Sequence, residues 1–260
     1  MSKQERRSFL ISPVRKATDE EILKIGQYVE ELSRQNIIVH WPYTDTPQLD
    51  DPVGLTICTI NLGAIKWTDQ INYWWSESSV ASTFDAGSAF ALRKPFSWAN
   101  RDKVTNMDQN LLELYDAWAE ESRSPQIPFE SADSRNHPSK PYLLYFIGPH
   151  TEAGMGDEAE KITRYRNAGL SSGVEMKTTA GLDNGFLTPL EIAKNDRRAI
   201  TECGEVRVWY SKENGPDQAK IHFDLGMAFA LNKKIRIACP LEPKPYKSFQ
   251  NVLLKLNKLP

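Results

Sequence analysis

Phe84-Asp85-Ala86-Gly87-Ser88-Ala89-Phe90-Ala91-Leu92 returns later in the chain as Phe223-Asp224-Leu225-Gly226-Met227-Ala228-Phe229-Ala230-Leu231, with only the third and fifth positions changed. A lysine stands two residues beyond each copy, at Lys94 and Lys233. So close a recurrence marks a chain built by doubling one unit. The Gly-x-Ala-x-Ala run predicts a helix with a small-residue face, able to lie close to the sheet beneath it. It places an acid at or near each helix start, where the helix dipole favours negative charge.

Outward from these helices the same order of elements appears twice. Phe9-Leu10-Ile11-Ser12-Pro13-Val14 reads as a buried strand stopped at proline, and Tyr142-Leu143-Leu144-Tyr145-Phe146-Ile147 as its counterpart, stopped at Gly148-Pro149. Thr18 followed by Asp19, Glu20 and Glu21 predicts a helix over 18–35. Strands follow at 37–41, 71–75 and 94–99, with a helix over 54–67 and a loop from Tyr43 to Val53. In the second unit helices are expected over 156–168, 188–203 and 218–232. Strands are expected at 174–177, 205–210 and 233–239. Segments 106–121 and 246–258 add one amphipathic helix to each unit. Strands alternating with helices give an α/β chain of two parallel sheets covered by helices. Residues 1–123 form the first unit, 124–141 a linker rich in Pro, Ser and charge, and 142–260 the second unit.

Bulk properties narrow the function. The chain has 260 residues and a formal net charge of −2, so nothing argues for a nucleic-acid partner. Cys58, Cys203 and Cys239 are scattered and odd in number, which suits buried thiols in a reducing compartment. The start, from Met1 to Arg7, is charged but leads to no apolar core of signal-peptide length, and no run approaches a membrane span. The expectation is a soluble cytoplasmic protein with no membrane partner. No metal-ligand cluster, Walker loop, Ser-His-Asp set or Gly-x-Gly-x-x-Gly pattern stands in the chain, so no metal or other cofactor is implied.

In a parallel sheet, ligands bind at the carboxyl ends of the strands. Those ends carry Ser12, Pro13 and Arg15, then Trp41, then Ser76, Ser79 and Ser82 before Asp85. In the second unit they carry Gly148 and His150, then Tyr210, then Gln218 before Asp224. Each aspartate is either a helix cap or a reactive carboxylate. Arg15 is either a solvated loop residue or a bidentate phosphate clamp, with the serines as neutral donors. His150 is either exposed or a phosphate contact, and His222 reads as a surface residue near a helix start. Trp41, Trp74 and Trp75 belong mostly to the core, though one near a strand end, or Tyr43 or Tyr210, can stack on a base. Asp45, Gln48 and Asp50 are either sugar-hydroxyl ligands or polar loop filler.

Three features together resemble the nucleoside 2-deoxyribosyltransferase superfamily. They are a strand ending in Ser-Pro or Gly-Pro, an Ile-x-x-x-Asn/Asp-x-x-x-Ile helix before a strand, and acid-x-Gly-x-Ala-x-Ala-Leu-x-Lys. The resemblance covers about residues 8–100 and 142–240. It implies flavodoxin-like, Rossmann-like units, and an enzyme acting as glycosidase hydrolase or transferase on a nucleoside or nucleoside 5′-monophosphate. In that family a carboxylate attacks the anomeric carbon, and water or a second base resolves the glycosyl-enzyme. The family's nucleophile is a glutamate, and its place falls on Asp85 and Asp224, one methylene shorter. The family's aspartate a few residues earlier is replaced by Ser79 in the first unit and by Gln218, beside Asp217, in the second. Family members pair so that one subunit completes its neighbour's site. A fused duplicate is then expected to form an internal pseudo-dimer through the repeated helices and segments 106–121 and 246–258, with a further homodimer open. The other reading of the chain is a catalytically silent nucleotide sensor.

Overall fold

The computed structural model describes residues 5–47, 53–77, 82–124, 144–149, 157–171, 176–178, 187–210 and 217–259. The first half runs β1 (Arg6–Ile11), α1 (Asp19–Arg34), β2 (Ile37–His40), α2 (Pro42–Asp45), α3 (Leu55–Trp67), β3 (Gln70–Tyr73), α4 (Ser82–Ala91), β4 (Phe96–Trp98) and α5 (Gln109–Arg123). The second runs β5 (Leu144–Ile147), α6 (Asp157–Ser171), β6 (Met176–Thr178), α7 (Pro189–Glu202), β7 (Glu205–Val208), α8 (Asp217–Ala230), β8 (Lys234–Ile237) and α9 (Phe249–Leu256). Two four-stranded sheets result, in the orders β2-β1-β3-β4 and β6-β5-β7-β8, with every strand pair parallel. Connections leave β1 toward β2 and then return to β3 on its other side, so the order reverses between β1 and β3. That is the place where an open parallel sheet has room for a ligand.

Strand alternation sorts the apolar residues onto two faces. Phe9, Ile11, Ile71, Tyr73 and Trp75 join an inner core, while Leu10, Trp41 and Trp74 pack outward with Ile25 of α1. The second sheet repeats this, with Phe146, Ile162 and Trp209 in its outer layer. Burial on both faces is what an all-parallel sheet requires. The inner core is continuous through both halves, from Phe9 to Phe223 and Leu253.

Local signals act where the spacing puts them. Thr18 Oγ1 accepts from the Glu21 amide at 3.2 Å. Thr188 and Glu191 form a reciprocal capping box, with Pro189 in the first turn. The repeated lysines close helix ends. Lys233 Nζ donates to the carbonyls of Thr201 at 2.7 Å and Cys203 at 2.9 Å, at the end of α7. Lys94 does the same for α3, through Lys66 and Thr68. A cation over the last carbonyls of a helix satisfies acceptors that the helix leaves open.

Several expected boundaries move. The first strand starts at Arg6 rather than Phe9, because Arg6 and Arg7 continue the ladder against Ile37 and Ile38. The fourth strand is Phe96–Trp98, shorter than 94–99. Pro42 begins α2 instead of opening a loop, its fixed φ suiting a first helical position. The expected linker lies outside the described residues, except for Ser124.

The glycine faces of the repeated helices meet each other, not the sheet. A Cβ on Gly87 would lie 1.8 Å from the Phe223 carbonyl oxygen, and one on Gly226 would lie 1.9 Å from that of Phe84. Ser88 Oγ donates to the Gly226 carbonyl at 3.1 Å. Around this crossing, Phe90 meets Phe223 at 5.5 Å and Trp118 at 5.1 Å, while Lys194 of α7 pairs with Glu121 of α5 at 2.7 Å. Among the described residues, no helix is long and apolar enough to cross a membrane.

Because backbone, not a flexible side-chain end, faces each glycine, Gly87→Ala or Gly226→Ala is expected to cost about 3 kcal/mol or more. A Cβ on Gly63 meets nothing within 4 Å, so Gly63→Ala on α3 is expected to gain roughly 0.5–1 kcal/mol. Urea unfolding of the three variants measures both effects.

Candidate functional site

A cleft of about 480 Å³ opens at the carboxyl edge of the first sheet, at its switch point. The loop after β1 supplies Ser12, Pro13, Arg15 and Lys16, α3 supplies Cys58 and Asn61, and α4 supplies Ser82, Phe84 and Asp85. The far wall belongs to the second half: Gln218 and His222 from α8, and Lys247, Ser248, Phe249 and Val252 from the start of α9. The glycine crossing brings them there, since it sets α8 directly against α4. The volume suits a small metabolite, for which clefts of about 300–1,000 Å³ are usual.

Asp85 lies in the first turn of α4 and is only partly exposed. Asn61 Nδ2 donates to Asp85 Oδ2 at 3.0 Å. The amide is oriented from behind, because Thr46 Oγ1 donates to Asn61 Oδ1 at 2.9 Å, and His40 Nε2 lies 3.2 Å from that hydroxyl. Burial raises the Asp85 carboxyl to about 7, with the Asn61 hydrogen bond opposing the rise. A group poised there is half-ionised near neutrality, suited to act as base, acid or nucleophile.

The second copy has a different fate. Asp224 lies well inside α8, which begins at Asp217, so the expected position near a helix start does not hold for it. Its side chain is 1% exposed and pairs with Lys220, one turn earlier. Lys220 also reaches Asp196 at 3.1 Å, a residue with no exposed surface. Asp196 occupies in its Ile-x-x-x-Asp-x-x-x-Ile helix the place of Asn61 in the first half. Where the first half has Asn61 hydrogen-bonded to a carboxylate at the edge of a cleft, the second has an ammonium between two carboxylates. Burial drives the Asp224 carboxyl upward, Lys220 pulls against it, and Asp196 adds to the rise. Burial presses the Lys220 ammonium down, but the two carboxylates outweigh it and raise it.

The other expected residues divide. Ser12, Pro13, Arg15, Ser82 and Gln218 line the cleft. Trp41 does not line it: its ring is in the outer core, and its indole N–H donates to Ser12 Oγ at 3.1 Å, so it positions the serine. Asp45 accepts from the Trp41 amide at 2.7 Å and so caps its own short helix. Ser76 is half-buried just past β3, outside the cleft lining. Gly148 ends the strand of the other sheet, where a Cβ would come within 2.6 Å of the Phe146 ring. Tyr210 stands behind the cleft, its hydroxyl 3.1 Å from His222 Nε2. Ser79 and His150, like Gln48 and Asp50, lie outside the described residues.

Sequence reasoning missed Asn61 as a site residue, although it stands at the centre of the Ile-x-x-x-Asn-x-x-x-Ile pattern. It also placed His222 on the surface, whereas the ring is 4% exposed and faces the cleft. Lys247, Ser248 and Phe249 gave no signal, since only the packing of the halves carries them to the site. Among the described residues, no group of His, Cys, Asp and Glu could hold a metal ion. No protein-family model, curated protein or solved structure matches this chain.

The buried charges set how stability responds to pH. Lys220→Met leaves Asp196 and Asp224 buried without their cation, and is expected to cost about 3–5 kcal/mol near pH 8. The loss shrinks toward pH 4, where protonation removes the repulsion; denaturation at both pH values reads it. Asp85 has a folded pKa above its unfolded value, so it opposes folding as pH rises from about 4 through 7. Asp85→Asn is therefore expected to stabilise the fold by up to about 4 kcal/mol above pH 8 and by little below pH 4.

Proposed function

We propose that the Asp85 cleft cleaves the N-glycosidic bond of a nucleoside or nucleoside 5′-monophosphate, by hydrolysis or by transfer to a second base. The observation that carries this reading is a carboxylate raised to about 7 in a cleft at a sheet switch point, held by an oriented amide. Ionised Asp85 attacks the anomeric carbon, and the carbon–nitrogen bond breaks with its electron pair going to the base, which takes up a proton. Water or a second base then displaces the carboxylate from the sugar. Asn61 aims the attacking oxygen. Arg15, Lys16 and Lys247 give the cleft three cations against Glu77 and Asp85, a balance that favours a phosphorylated substrate.

The finer architecture belongs to the same proposal. Both sheets have the order of the first four strands in a flavodoxin-like fold. The exchanged contacts, Gly87 on Phe223 and Gly226 on Phe84, have the reciprocity of a two-fold interface. In this reading the chain is an internal pseudo-dimer, with the second half standing where a neighbouring subunit would complete the site. Lys220 fills the place of a substrate in that second half, leaving one working site per chain.

Incubation with a panel of nucleosides, 5′-monophosphates and NAD, followed by chromatography for free base, tests the activity. Base release is expected, lost on Asp85→Ala, with a rate that falls about tenfold per pH unit below an acid limb near pH 7. Saturable binding without base release would replace the enzyme by a nucleotide sensor. Release that survives Asp85→Ala would remove Asp85 from the chemistry.

A further inference from the structure

We infer that the second half supplies the wall that meets the nucleobase, and that Gln218 and Tyr210 decide which nitrogen of His222 carries its proton. The inference rests on the glycosidic reading of the Asp85 cleft and assigns the base end of its substrate. It also gives a role to His222 and Tyr210, which the chemistry at Asp85 leaves unused.

The cleft is largely divided between two chemistries, with Lys247 standing beside the aromatic wall. Arg15 and Lys16 follow β1 on one side. The aromatic surface comes from His222 and Phe249, whose rings lie 4.1 Å apart, and both line the cleft. Phe249 meets Phe84 edge-on at 5.1 Å, and Phe84 is the residue before Asp85. An aromatic surface of inclined rings, His222 tilted 49° and Phe84 64° to Phe249, therefore runs from α9 to the reactive carboxylate, and a planar base stacks on one ring of such a surface.

His222 is held in this wall by a chain of hydrogen bonds. Gln218 Nε2 donates to Tyr210 Oη at 2.9 Å, and Tyr210 Oη lies 3.1 Å from His222 Nε2. With Gln218 donating to its oxygen, Tyr210 keeps its own proton available for the next partner, and the inference places that proton on His222 Nε2. Burial raises the Tyr210 phenol above its ordinary value, which keeps that proton on the oxygen. A ring nitrogen that accepts must be bare. In this arrangement His222 carries its proton on Nδ1 and presents a neutral ring to the cleft. Tyr210 is a positioning residue: it acts on the substrate through the histidine.

Nuclear magnetic resonance of the full chain labelled with 15N-histidine tests this, with His222→Gln identifying the signal. In Asp85→Asn protein, expected to bind without turnover, His222 is expected to show a protonated Nδ1 and a bare Nε2. Tyr210→Phe is expected to give a mixed pattern. Adenosine 5′-monophosphate or deoxycytidine 5′-monophosphate is expected to shift the ring signals. Tyr210→Phe should weaken the binding roughly 3- to 10-fold, as loss of one hydrogen bond does, and in the Asp85 chain should raise KM similarly while kcat stays within about twofold. A proton on Nε2, or calorimetric binding of either nucleotide that leaves His222 unmoved, overturns the inference and spares the glycosidic reading. Absence of binding across the whole panel overturns both.

Discussion

Two helices in this protein approach until backbone touches backbone. Gly87 lies on the Phe223 carbonyl and Gly226 on that of Phe84, at separations no Cβ would allow. Nearly every later feature depends on that approach. It joins the inner faces of the two sheets into one core, and it lays the start of α8 along α4. It also lets Gln218, His222 and Phe249 close a cleft whose opposite edge, with Asp85, belongs to the other half. A side chain at either glycine would force the helices apart, and the site would lose its far wall before it lost any residue of its own.

Within that frame, the same aspartate meets opposite electrostatic solutions. Near Asp85 the neighbour is Asn61, neutral and oriented by Thr46, so burial acts on the carboxylate with only a hydrogen bond to oppose it. Near Asp224 the neighbour is Asp196, and an added lysine on the same helix face resolves the conflict of two buried carboxylates. Taking charges out of water is costly, and a tight ion cluster offsets that cost while consuming the space a ligand would need. One copy borders a cleft and the other is internal structure. In the sequence the difference comes down to two positions: Asn61 against Asp196, and Ala81 against Lys220.

Much of the fold was legible because it rests on short-range patterns. The capping threonines, the 3.6-residue spacing of Ile22, Ile25, Val29 and Leu32, and the apolar runs before Pro13 and Gly148 report on local backbone. That Ser12, Pro13 and Arg15 line a cleft was legible because open parallel sheets leave a crevice beyond the carboxyl ends of their strands at the switch point. Asp45 and Trp41 misled for an equally local reason. Each polar group is satisfied by a neighbour a few bonds or one strand away, at 2.7 Å and 3.1 Å, and neither side chain lines the cleft.

The amino-acid sequence by itself determined the doubling, the alternation of strands and helices, and the two matching carboxylates, since each is written in residue type and spacing along one segment. Only the tertiary structure decided that the glycine face meets a helix, that His222 is buried against Phe249, and that Asp85 borders a cleft while Asp224 does not. Those outcomes turn on contacts between elements far apart in the chain, and on which buried charge finds a partner. Neither the distance nor the partner can be read from a periodicity.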